Sequence, residues 1–269
     1  MQTKKVKLLY FSPTGTTQKI LESIAKGMKV EEVEHINLTL LKEDHKEITF
    51  STDDIVVIGT PVYGGRLPLE AVKRLEKFKA SKTLAIIIVL YGNRDFEDAL
   101  LELKNLAIRL GFAPFLAAAF IGEHSFSTMS IPIAIGRPDY QDIQKAVNLG
   151  ENIKNIISTL QTHSLQLDMA IPGRFPYESK LQSLTVSPDS NKETCSLCGV
   201  CVKICPTKAI SITDVVITKN DICIHCCACI KNCTTGSRFC DDITMKNIAI
   251  RLNENFNTRK EPRIWGVEV

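Results

Sequence analysis

Ten cysteines lie between Cys195 and Cys240, and none occurs earlier in the 269-residue chain. Cys195, Cys198, Cys201 and Cys205, with Pro206 directly after, spell C-x2-C-x2-C-x3-C-P. The cysteine spacing returns 28 residues later at Cys223, Cys226, Cys229 and Cys233, so the region is an internal repeat. Thiolates are soft ligands, and this run is the one that holds iron–sulfur cubes. Three thiolates spaced by two residues wrap one face of a cube, while the local backbone cannot easily bring the fourth to the remaining iron. Each fourth cysteine is therefore donated to the other cluster. On that reading Cys195, Cys198, Cys201 and Cys233 hold one [4Fe-4S] cluster, and Cys223, Cys226, Cys229 and Cys205 hold a second. Zinc is the alternative, but its sites usually come as two CxxC pairs separated by a longer insert. Cys227 and Cys240 fall out of register and read as small buried hydrophobes or spare thiols. His225 reads as a solvent-facing side chain, since Rieske ligation needs two histidines in place of cysteines.

A second group carries hydroxyls. In FSPTGTTQKI, Ser12, Thr14, Thr16 and Thr17 surround Gly15 just before a helical pattern begins. Loop amides, hydroxyls and a helix N-terminus make an anion site that needs no lysine. The Walker A pattern and the GxGxxG dinucleotide fingerprint are both missing from the chain. Alone, such a turn is more often an ordinary helix cap. Two further loops, GTPVYGGRLP at 59–68 and YGNRDFEDA at 91–99, follow apolar runs in the same way.

The elements that must position these groups show in the hydropathy pattern. VKLLYFS, VEHINLT, DIVVIGT, TLAIIIVLYG and FAPFLAAAFIG read as strands. Helical periodicities follow the first, third, fourth and fifth: Ile20, Leu21, Ile24 and Met28; Leu69, Val72, Leu75 and Phe78; Leu100, Leu103, Leu106 and Leu110; Ile143, Val147, Ile153, Ile156 and Leu160. Continuously apolar strands alternating with amphipathic helices indicate an α/β domain, a doubly wound five-stranded parallel sheet covered on both faces. Its ligands lie beyond the carboxyl ends of the strands, where the three loops fall. We divide the chain into an α/β domain at 1–161, a Pro- and Ser-containing linker at 162–191, a cysteine domain at 192–243 and a tail at 244–269. In the linker, IPGRFPYES reads equally as a loop packed on the first domain. AISI and VVIT, flanking Thr213 and Asp214, read as a short hairpin. NIAIRL reads as a strand within a tail that is either solvated or strapped across the domain junction.

Composition narrows the class. The formal net charge of +3 is too weak to argue for nucleic acid. LAIIIVL and FLAAAFIG fall short of the ~20 residues that span a bilayer. The start, MQTKKVKLLYFS, lacks a secretory h-region and a cleavage site, so we expect a cytoplasmic protein. In a reducing cytoplasm a local cysteine cluster binds metal rather than forming disulfides.

Residues 190–242 resemble the two-cluster bacterial ferredoxins, departing from them in Thr234, which stands where the first run has Pro206. Residues 4–160 resemble the flavodoxins through their T-G-T-T-like, G-[ST]-P-x-Y-x-G-like and aromatic-Gly loops. That resemblance implies a flavodoxin-like sheet of order 2-1-3-4-5 binding FMN. Ser12, Thr14, Gly15, Thr16 and Thr17 would take the phosphate. Thr60, Pro61, Val62, Tyr63, Gly64 and Gly65 would border one side of the flavin, and Tyr91, Gly92, Asn93, Arg94 and Phe96 the other. Tyr63 and Tyr91 either face the ring or fold onto the domain surface, and Arg94 either offsets flavin charge or pairs with Asp95, Glu97 or Asp98. Glu123, His124 and Ser125 stand after the fifth strand. The whole chain is similar to the bacterial flavodoxin–ferredoxin fusion proteins, which implies an electron-transfer protein relaying electrons between two [4Fe-4S] clusters, FMN and partner redox proteins. The alternative is a flavin-dependent reductase of a small-molecule acceptor fed by the clusters, for which His124 is the one obvious candidate acid. Zinc or empty thiol sites scaffolding a partner would make it a binding module instead.

Overall fold

The computed structural model describes residues 4–40, 48–159, 169–178 and 186–266. The first unit runs β1 (Lys5–Tyr10), α1 (Thr16–Met28), β2 (Glu32–Asn37), a short β3 (Thr49–Phe50), β4 (Ile55–Pro61), α2 (Leu69–Leu75), a short β5 (Lys79–Ala80), β6 (Thr83–Tyr91), α3 (Ala99–Arg109), β7 (Phe112–Ile121) and α4 (Tyr140–Thr159). β2, β1, β4, β6 and β7 lie side by side and parallel. Strand alternation sorts the side chains. Leu9, Val56, Ile58, Ile87 and Val89 face a core covered by α2 and α3. Leu8, Tyr10, Val57, Ile86 and Ile88 face a core covered by α1 and α4. Burying each such aliphatic side chain contributes roughly 1.5–3 kcal/mol, so both faces must be covered. On the second face the helices touch closely: a Cβ built at Gly150 would fall 2.0 Å from the Ile24 carbonyl oxygen.

The cysteine unit contains β8 (Asp189–Ser190), α5 (Val200–Ile204), β9 (Ile210–Ile212), β10 (Val216–Thr218), a 3-10 turn at Asn220–Ile222, α6 (Ala228–Lys231) and β11 (Arg238–Phe239). β9 and β10 form the hairpin around Thr213 and Asp214, and β8 pairs antiparallel with β11. The unit thus begins before residue 192, because β11 needs β8 as its partner.

Two expectations are corrected, and one alternative is decided. NIAIRL lies in a helix, α7 (Ile243–Asn255), and not in a strand. Asp242 caps it by accepting from the Met245 amide at 2.9 Å, and Met245, Ala249 and Leu252 are buried at helical spacing. Among the described residues the sheet has six strands rather than five. β12 (Arg263–Gly266), from the tail, pairs antiparallel with β7, and Trp265 packs edge-on against Phe96. An open β7 edge would leave a row of unpaired backbone groups, which the tail strand satisfies. Of the 162–191 segment, residues 169–178 pack on the first unit, one of the two alternatives read for it, and Asp189–Ser190 form β8. Met169 is buried in the first core, and the Arg174 and Glu178 amides both donate to Asp98 at 2.9 Å.

Candidate redox centre

The carboxyl ends of the parallel strands bring the loops to one edge. Phe11 N–H donates to Gly59 at 3.1 Å, Val62 N–H to Leu90 at 2.8 Å, and Gly122 N–H to Tyr91 at 3.0 Å. In the first loop Gly15 takes φ 81°, a left-handed turn that starts α1 without a side-chain cap. Thr16 and Thr17 therefore present first-turn amides that have no intrahelical acceptor. Ser12 Oγ accepts from Gln18 N–H at 3.1 Å, and Thr39 Oγ1 holds the Ser12 amide at 2.7 Å. Thr14 and Thr16 hydroxyls lie 3.4 Å apart. Among the described residues two buried hydroxyls, Thr17 Oγ1 and Thr60 Oγ1, have no hydrogen-bond partner. An unsatisfied buried hydroxyl costs about 1–3 kcal/mol, and both belong to the loops expected to hold a flavin phosphate or ring. The residues fit that group.

The second loop turns back on itself through Tyr63 and Arg66, with Gly64 at φ 58° and Gly65 at φ 80°. Thr60 and Pro61 end β4, and Val62 continues alongside Leu90. The third loop leans on the second. Glu97 lies so close to Gly65 that an added Cβ would meet its carboxylate at 2.0 Å, and Asp98 N–H donates to the Gly65 carbonyl at 3.1 Å. Tyr91 and Phe96 pack edge-on at 5.5 Å within the first core, so their rings are committed to the interior. Arg94 pairs with Glu97. Asn93 is clamped by the tail, donating to the Phe256 and Thr258 carbonyls at 2.5 and 2.9 Å. His124 presses on Gly92, where a Cβ would lie 2.3 Å from the imidazole. Its Nδ1 accepts from Phe126 N–H at 3.0 Å, and burial, with the charges of Lys231 and Arg94, lowers its pKa to about 4. The imidazole is neutral and carries its proton on Nε2.

The thiols fall into two groups. Cys195, Cys198, Cys201 and Cys233 line one cavity together with Arg238, so Cys233 comes from the second run to meet three cysteines of the first. Cys205 lies within electrostatic reach of Cys223, Cys226 and Cys229. Among the described residues no group of three or more His, Cys, Asp or Glu side chains closes on a single metal ion. The first set opens outward: Cys198 is exposed, and hydrogen bonds from the Val200 amide and Ser196 draw its pKa down. In the second set Cys226 and Cys229 are buried, and burial pushes the Cys226 thiol up to about 12. Cys227, buried at φ 56°, caps α6, and the Cys240 thiol lies 3.1 Å from Met245 Sδ. His225 is not turned to solvent as expected; its Nε2 meets the Val186 carbonyl.

The two units are in contact. Tyr63 hydrogen-bonds Ser125 and lies within electrostatic reach of Cys226 and Cys227. Lys231 reaches Glu123 at 2.5 Å. Buried Arg74 donates to Leu38, Thr39 and Pro206 carbonyls at 2.6, 2.7 and 2.5 Å. Sequence reasoning passed over Arg74, Thr39 and Arg238. Arg74 sits on an amphipathic helix where a surface arginine looks the same, and no spacing joins it to Pro206.

Residues 7–131 match the flavodoxin domain family and residues 188–211 the 4Fe-4S binding domain family. These are domains of electron-transfer proteins, the first implying FMN and the second a [4Fe-4S] cluster. The chain carries them in the order of a flavodoxin–ferredoxin fusion. Among solved structures, a flavodoxin from the domain Archaea is 15% identical with a TM-score of 0.39, covering 57% of this chain and 99% of its own. Flavodoxin 1 from Bacillus cereus is 17% identical at 0.39, covering 58% and 99%. Rubredoxin oxygen:oxidoreductase from Desulfovibrio gigas is 14% identical at 0.42; 58% of this chain aligns with only 36% of that one. No curated protein is a significant match to the chain. Among the described residues no helix is long and apolar enough to cross a membrane.

Proposed function

We propose that the chain relays electrons between partner redox proteins, two [4Fe-4S] clusters and FMN. The observation that carries this reading is the direct contact of the two units, Arg74 donating to the carbonyl of Pro206, next to Cys205, and Lys231 of the cysteine unit meeting Glu123. A cube passes one electron at a time and FMN takes one or two, so joining them matches one-electron to two-electron chemistry. The chain's own residues supply the positions. Cys195, Cys198, Cys201 and Cys233 hold the outward cluster, and Cys205, Cys223, Cys226 and Cys229 the one against the flavodoxin domain. Ser12, Thr14, Gly15, Thr16 and Thr17 hold the flavin phosphate, with Thr60–Gly65 and the 91–96 loop around the ring. The exposure of Cys198 makes the outward cluster the natural contact for a partner protein.

Anaerobically purified protein should carry about eight iron and eight sulfide per chain and one acid-released FMN. Stepwise reduction followed by absorbance and EPR should bleach flavin and clusters within one molecule. Stoichiometric zinc in place of iron would overturn the reading. Cys233→Ala should remove the cluster of Cys195, Cys198 and Cys201; sparing it would show that the ligands do not cross.

A further inference from the structure

We infer that Arg238 is a positioning residue for both clusters, a buried cation between them that donates a hydrogen bond to cluster sulfur and holds both reduction potentials up. The inference rests on the proposed function. Arg238 is only 3% exposed, in a unit too small to bury an arginine without cause. It faces both thiol sets. With Cys195, Cys198, Cys201 and Cys233 it lines the first cavity, and its Nη2 lies 3.6 Å from Cys229 Sγ of the second set. The outer nitrogens are anchored: Nη1 donates to Ser190 Oγ at 3.0 Å, and Nη2 to the Pro188 carbonyl at 2.8 Å and Thr218 Oγ1 at 2.9 Å. Those anchors belong to β8 and β10 and to the turn before β8, so the guanidinium is fixed by the frame rather than by a carboxylate. Among the described residues no acidic side chain pairs with it. Its Nε is buried and has no hydrogen-bond partner, although a buried guanidinium nitrogen left unsatisfied is costly. A cluster sulfur, thiolate or sulfide, is the acceptor this site offers.

The electrostatic consequence follows directly. Reduction adds one negative charge to a cube, and a fixed cation nearby stabilises the reduced form more than the oxidised one. Hydrogen bonds to cluster sulfur act in the same direction. Because one guanidinium faces both sets, it raises both potentials together and keeps the clusters close in energy, which suits a relay.

The test compares Arg238→Gln and Arg238→Lys with the unmodified protein in EPR-monitored redox titrations, with iron and sulfide counted in each. Arg238→Gln, loaded with its clusters, should show a reduction equilibrium at least tenfold less favourable at both, about 59 mV lower for a one-electron couple. Arg238→Lys, which keeps the charge, should shift less than half as far in millivolts. Iron-replete Arg238→Gln with unmoved midpoints, or two variants shifting alike, would overturn the inference while leaving the electron-transfer reading intact. Should Arg238→Gln fail to load, the wild-type protein decides. With arginine alone carrying heavy nitrogen, pulsed EPR of the reduced clusters should show a nitrogen coupling, and its absence refutes the contact. Failure of the underlying reading looks different, as a protein without iron.

Discussion

Thr17 and Thr60 have one property that sets them apart from the other hydroxyls of the loops: their oxygens are buried and unpaired. Replacing either by valine keeps the shape and removes the desolvated oxygen. Apoprotein stability should therefore stay level or rise by about 1 kcal/mol, measured by urea unfolding, while FMN affinity falls about tenfold in a fluorescence titration. His124 gives a pH signature at the same scale. Folded, its ring stays neutral down to about pH 4, whereas the unfolded ring takes its proton near the ordinary histidine value of 6.5. Between those values the unfolded state binds more protons, so stability present above pH 6.5 is lost as pH falls toward 4 and levels off below. Unfolding between pH 7.5 and 5.5 should show that slope in the wild type and a shallower one in His124→Gln. Imidazole NMR should find no titration of His124 across the range. A ring that protonates near pH 6.5 would sink this account.

At the scale of elements, the contact of α1 with α4 depends on missing side chains. Gly150→Ala drives a methyl group into the Ile24 carbonyl and should cost about 3 kcal/mol in urea unfolding, since two packed helices cannot separate without opening the core between them. The tail is the second element with a specific consequence. It covers the β7 edge, clamps Asn93 and is itself held by Arg259 on Asp139 at 2.6 Å and by Arg137 on the Lys260 carbonyl at 3.0 Å. Removing residues 256–269 frees the third loop and bares a long apolar strand. FMN content should fall several-fold, and light scattering should report association through the exposed edge. The alternation read at NIAIRL misled because it is short; the burial of Met245, Ala249 and Leu252, together with the Asp242 cap, outweighs it.

For the whole molecule, the decisive contact is the one between the units. Arg74 joins the end of β2, and through Thr39 the phosphate-loop amide of Ser12, to the turn after Cys205. Arg74→Met leaves three buried carbonyls without a donor and should cost about 3 kcal/mol or more. It should also split one unfolding transition into two, read separately by flavin fluorescence and by cluster absorbance. A single transition in the variant would show that the other contacts, Lys231 with Glu123 and Ile224 on the first core, suffice to join the units.

The doubly wound layout, the two cysteine runs and the three strand-end loops were legible in residue order, because strand period, helix period and ligand spacing are local quantities. The place of Cys233 beside Cys195, Cys198 and Cys201 is a tertiary fact that agrees with the limited reach of the local backbone. The sixth strand, the burial of Tyr91 and Phe96 and the reach of Arg74 and Arg238 were not legible in residue order. Each joins residues far apart in the chain and is chosen by competition for buried hydrogen-bond partners and edges. Such competition exists only once the chain has folded.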